Sequence, residues 1–150
     1  MNKSWIANGF TAANALFGGL SIMMSISGEY HVAAICILIA MAADAFDGRV
    51  ARALGTAGPM GVELDSLSDD ISFGVAAGAL IYSYQLRELG AFGFISCALL
   101  GAFCAFRLAR FNVKVTSVHG YFEGLPCPTV GVVIACYVLS GVKIWNWLAM

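Results

Sequence analysis

The chain has 150 residues, of which 60% are hydrophobic and 11% charged, and its formal net charge is −1. Soluble domains carry about 25% charged residues, so the composition argues against a soluble globule, and near-neutrality gives no pull toward nucleic acid. With about 20 apolar residues needed per bilayer crossing, there is room for roughly five or six helices in one compact membrane domain.

Apolar runs bounded by polar or Gly/Pro breaks predict helices over residues 8–27, 31–53, 60–84, 89–111 and 127–145. Lipid cannot satisfy open backbone groups, so the runs are expected to be helical and the fold class is an all-α polytopic transmembrane bundle. The first run carries Asn8, Thr11, Asn14 and Gly18-Gly19 among apolar residues. The second ends in Asp44, Asp47, Gly48, Ala51 and Arg52, and Leu54 to Pro59 then turns the chain. Gly61 opens the third run, with Asp65, Asp69 and Asp70 behind it. The fourth ends in Arg107 and Arg110, and a polar connection from Asn112 to Pro126, holding His119, leads into the fifth. Five cysteines lie in or beside apolar runs without a Cys-x-x-Cys pair, and are expected to be buried small hydrophobes.

An N-terminus in the cytoplasm puts Lys3, Arg49, Arg52, Arg107, Arg110 and Lys114 at cytoplasmic helix ends and leaves Arg87 and Lys143 outside, as the positive-inside bias prefers. Residues 49–60 and 112–126 then face the cytoplasm. The aspartates crowd into that same end. Each ionisable group in a transmembrane segment costs at least about 2.5–3.5 kcal/mol at the bilayer centre, so the cluster points to function. Asp44 and Asp47 are three apart and Asp65 and Asp69 four apart, which places each pair on one helical face. Four convergent carboxylates repel unless cations lie between them, and hard oxygen donors suit Mg²⁺ or Mn²⁺. His31, at the opposite end of its helix, is no ligand. Arg52, one turn past Gly48, offers a guanidinium for phosphate. An ion or proton transporter also uses intramembrane aspartates, but distributes them through the membrane depth.

Asp44-x2-Asp47-Gly48-x2-Ala51-Arg52-x8-Gly61-x3-Asp65-x3-Asp69 resembles the signature of the CDP-alcohol phosphatidyltransferases across residues 44–69. The resemblance implies two divalent cations on Asp44, Asp47, Asp65 and Asp69, with Asp69 also the catalytic general base. It implies that Gly48, Arg52 and Gly61, with Asn8 and Thr11, bind the CDP-lipid. Arg107 to Val113 and Phe122 to Pro128 are similar to segments that mark the membrane-type serine transferases of bacteria and archaea, as is Asn8-x2-Thr11-x2-Asn14, with Ala7 standing where proline is usual. L-serine as acceptor is the expectation, with contacts from Arg107, Arg110, Asn112, Gly124, Leu125 and Pro126. A guanidinium suits the serine carboxylate, although glycerol 3-phosphate would want arginines too, and both arginines also serve as cytoplasmic anchors. Inositol as acceptor and CDP-archaeol in place of CDP-diacylglycerol stay open. The family further implies a homodimer in a prokaryotic cell membrane with its site facing the cytoplasm, and a six-helix core. This chain, residues 1–150, is expected to hold five of those helices as one C-terminally shortened domain.

Overall fold

The structure, a computed structural model, describes residues 4–54, 58–114 and 126–142, and among these it is helical with no strand. Helix α1 (Ser4–Ile26) is followed by α2 (Tyr30–Leu54), α3 (Pro59–Asp69), α4 (Ala76–Tyr84), α5 (Ala91–Lys114) and α6 (Cys127–Leu139). Between α3 and α4 lies a π-helical turn, Asp70–Val75, flanked by right-handed helical residues, so that Pro59 to Tyr84 forms one continuous rod. Among the described residues five rods therefore stand where five were predicted.

Local chemistry sets the ends. Gly28, at φ 84°, closes α1, and Glu29 N–H returns to the Met24 carbonyl at 2.9 Å, an arrangement that needs a left-handed residue. Gly58 in extended conformation and Pro59 in the first turn open α3. The fourth rod runs past the expected residue 111 to Lys114. The fifth departs more: α6 ends at Leu139 in a Ser140–Gly141 turn, with Gly141 at φ 70°, instead of continuing to residue 145.

Helix α1 packs along α2 and against α3, the π turn and α4, while α6 lies on α2, the π turn and α4, and α5 on the π turn and α4. The apolar core is built from Ala33, Ala34, Ile37 and Ala40 of α2, Phe73, Ala77, Leu80 and Tyr84 of the central rod, and Ala135 and Val138 of α6. Small residues predominate because helices in lipid associate by close packing, with no hydrophobic drive between them. Gly131 of α6 rests on Phe73, and a Cβ there would lie 2.8 Å from the ring.

Asn8–Ile26, Tyr30–Val50 and Ala91–Val113 are long and apolar enough to cross a membrane. The central rod has the length but carries its aspartates in the first half. The described part of α6, 13 residues, spans only about 20 Å. The chain is an integral membrane bundle. The cysteine expectation needs one correction: Cys36, Cys104 and Cys127 are buried, but Cys136 is exposed on the outer face of α6.

Candidate active site

The end of α2 and the beginning of the central rod come together at one end of the bundle. One turn separates Asp44 from Asp47 on α2, and one turn separates Asp65 from Asp69 on α3, so helical spacing aims both pairs at the space between the rods. Carboxylate oxygens of Asp44, Asp47 and Asp65 lie within 4.8 Å of one another. Asp69 completes the group, with Asp44 and Asp65 as its charged neighbours. Asp47 and Asp69 are buried, and Asp44 and Asp65 half-buried.

Helix α1 contributes no acid but supplies donors. Thr11 Oγ1 donates to Asp47 Oδ2 at 2.7 Å, and Asn14 Nδ2 donates to Asp69 Oδ1 at 3.1 Å. The Gly48 N–H also reaches the Asp47 carboxylate. Gly61 faces Asn8: a Cβ at Gly61 would lie 3.9 Å from Asn8 Oδ1, in ordinary contact. Asp70 turns the other way, its Oδ1 against Gly74 and its carboxylate beside Cys104, and takes no part in the cluster.

The residues fit divalent cations. The donor set is all carboxylate, and Asp65 Oδ1 is buried without a hydrogen-bond partner. A buried anionic oxygen left in that state is costly unless a cation meets it, and hard ions such as Mg²⁺ or Mn²⁺ take such ligands. His31 is exposed on the first turn of α2, remote from this cluster.

The last turns of α5 approach from the side. Half-buried Arg107 donates from Nη1 to Cys127 Sγ at 3.4 Å, tying α5 to the start of α6. Asn112 Nδ2 donates to Ser66 Oγ at 3.0 Å, which ties the end of α5 to α3. Arg110, three residues from Arg107, is exposed, and so is Pro126 ahead of α6. The two arginines therefore do not share one environment. Gly124, Leu125 and His119 lie outside the described residues, as does the side chain of Arg52.

Sequence reasoning gave Asn14 no role of its own and passed over Ser72. Asn14 was legible only as the third member of an Asn8, Thr11, Asn14 stripe, and a polar side chain on the buried face of an apolar helix has to find a partner.

A family model described as CDP-alcohol phosphatidyltransferase matches residues 4–150. The chain is 38% identical over 133 residues to the CDP-diacylglycerol–serine O-phosphatidyltransferase of Helicobacter pylori, covering 88% of this chain and 56% of that protein. It is 42% identical over 133 residues to the archaetidylserine synthase of Methanothermobacter thermautotrophicus, covering 85% and 55%. A Bacillus subtilis CDP-diacylglycerol–serine O-phosphatidyltransferase is 38% identical over 122 residues, covering 81% and 68%. The chain thus spans little more than half the length of the first two. No solved structure matches it significantly.

Proposed function

Because this chain belongs to the CDP-alcohol phosphatidyltransferase family, we propose that it transfers the phosphatidyl group of CDP-diacylglycerol to L-serine, giving phosphatidylserine and CMP. The observation that carries this reading is the convergence of Asp44, Asp47 and Asp65, with Asp69 beside them, on two facing helices. Relatives named for the serine reaction support the acceptor.

Asp44, Asp47, Asp65 and Asp69 would hold two divalent cations, Mg²⁺ or Mn²⁺, which when bound neutralise charge on the pyrophosphate and on the leaving CMP. The chain's own residues do the rest. Thr11 and the Gly48 N–H steady Asp47. Gly48 and Gly61, small residues flanking the carboxylates, leave room for the CDP headgroup, with Arg52 for a phosphate and Asn8 at the edge of the same space. Asp69 accepts the proton of the serine hydroxyl, the serine oxygen forms its bond to the lipid-bearing phosphorus, and the bond from that phosphorus to the CMP oxygen breaks. Arg107, Arg110 and Asn112, with Gly124, Leu125 and Pro126, are the proposed serine contacts. The acyl chains remain in the bilayer. Arginine distribution supports a site facing the cytoplasm in a prokaryotic cell membrane, and the family resemblance supports a homodimer.

The archaetidylserine synthase among the relatives favours a second reading of the donor, CDP-archaeol. A CMP-release assay on the chain in nanodiscs tests both. Each CDP-lipid is offered with serine, glycerol 3-phosphate or inositol, with Mg²⁺ or Mn²⁺ and with excess EDTA. Serine-dependent CMP release that EDTA abolishes and either metal restores is expected. Release driven only by another alcohol, or full activity in EDTA, overturns the reading.

A further inference from the structure

Asn14 belongs to a helix without a single acidic residue, yet it is fully buried and its amide donates to Asp69. We infer that Asn14 is the positioning residue for the base in the proposed reaction. The inference rests on the reading of Asp69 above.

Three observations support it. First, the terminal torsion of an aspartate is broad and roughly two-fold, so the orientation of the Asp69 carboxylate is set by its partners, which are Asp44 through a side-chain hydrogen bond and Asn14. The bond from Asn14 Nδ2 to Asp69 Oδ1 at 3.1 Å is the one that comes from α1 and holds a named oxygen. Second, the bond is indexed at both ends by the π turn. Ser72 Oγ donates to the Asn14 carbonyl at 2.9 Å. One turn along α1, a Cβ at Gly18 would lie 2.4 Å from Ser72 Oγ, so α1 touches the central rod there at backbone range. The helix that carries Asn14 cannot slide without breaking contact with the turn that directly follows Asp69. Third, Asn14 Oδ1 is buried without a partner. A side chain that only filled space in a membrane bundle would be apolar, because an unpaired buried amide oxygen is unfavourable. The amide is retained for what its other end does.

The role predicts a specific pattern. Asp69 is one of four carboxylates proposed to hold the cations that meet the donor but the one proposed to take the proton of the attacking hydroxyl, so loss of Asn14 is expected to fall on kcat more than on KM. Asn14→Leu, close in shape, and Asn14→Ala are measured in nanodiscs by CMP release, with KM for CDP-diacylglycerol and for the alcohol. The expected result is a fall in kcat of about 10–100-fold, as for residues that support a metal-site ligand, with both KM values within about twofold. In excess chelator, thermal unfolding of Asn14→Leu, Asp69→Leu and the double variant reads the bond without metal or turnover, and non-additive midpoint shifts are expected. Ser72→Ala gives a reading that does not depend on the Asn14 variants folding. It should lower kcat about fivefold, the equivalent of one neutral hydrogen bond.

Wild-type kcat in the Asn14 variants, additive midpoint shifts, or a donor KM that rises in step with the loss of kcat would each overturn the role. Wild-type kcat in Ser72→Ala would overturn the indexing by the π turn. If the unmodified chain releases CMP with another alcohol and not with serine, the acceptor assignment fails by itself. The kcat comparison is then made with that alcohol.

Discussion

Asp65 and Asp69 sit one helical turn apart but meet different neighbours. Asp65 shares a 4.8 Å space with Asp44 and Asp47 and keeps one oxygen without a hydrogen-bond partner, whereas Asp69 is held from α1 by Asn14. Conservative substitution should therefore separate binding from chemistry. Asp65→Asn is expected to weaken Mn²⁺ and CDP-lipid binding together. Asp69→Asn should leave much of the CDP-lipid affinity in place and remove about 10²–10⁴-fold of kcat, the usual worth of a general base. Titration of the CDP-lipid with each variant, alongside single-turnover rates, reads the difference, and near wild-type kcat in Asp69→Asn would remove it from the base role. The aspartates could be found in the sequence because their relation is local, three or four residues along one helix. Thr11 reaches Asp47 across 36 residues and Asn14 reaches Asp69 across 55. No periodicity encodes such pairings. Thr11, proposed at the CDP-lipid, also donates its hydroxyl to the Asp47 carboxylate.

Helix α1 shows how one element can be apolar in composition and polar in purpose. Thr11, Asn14, Ser21 and Ser25 are all buried, and with Gly18 they form a stripe on its inner face. Gly18 lies directly against the central rod: a Cβ would lie 2.9 Å from the backbone of Ser72. Gly18→Ala therefore forces the two helices apart and should destabilise the bundle by about 1–3 kcal/mol, the usual range for overpacking. Its activity should fall further than its stability, because the contact also sets Asn14 against Asp69. Thermal midpoint and CMP release, measured on the same sample, check this, and an unchanged midpoint would refute the close contact. Element existence was readable from apolar runs and Gly/Pro punctuation, whereas two features were not. The π turn leaves apolar and small residues in an ordinary succession, and α6 stops at Ser140 because Gly141 takes a left-handed conformation. Ser140-Gly141 ahead of Lys143 is a turn signal, outweighed in the sequence by the apolar residues that resume at Ile144.

Across the whole bundle, polarity is divided between two ends. The site end gathers the aspartates with Arg49, Arg107 and Arg110. The other end carries Glu29, His31, Arg87 and Glu88, together with edge-to-face contacts of Tyr84 with Tyr30 at 5.6 Å and with Tyr137 at 6.0 Å. Tyr137 also donates to Gln85. If the site end is cytoplasmic, cysteines placed at Thr56 and at Glu88 in a chain without its native cysteines should be labelled from opposite sides of sealed vesicles. Labelling from one side would reject the orientation. Between the two ends runs the π turn, and its consequence concerns insertions and deletions. Such a turn accommodates one residue more than a regular helix with the same faces, which lets Asp65 and Asp69 above it and Ala77, Leu80 and Tyr84 below it look into the same bundle. A sequence shorter by one residue here is thus expected to fold as a regular helix with the same faces. Removing Ile71, which is 37% exposed, should yield a chain that inserts and stays monodisperse while Ser72 loses its place beside Asn14. Stability and turnover would then be separated by a single codon, measurable by size-exclusion chromatography and CMP release, and retained turnover would show the surplus residue to be dispensable.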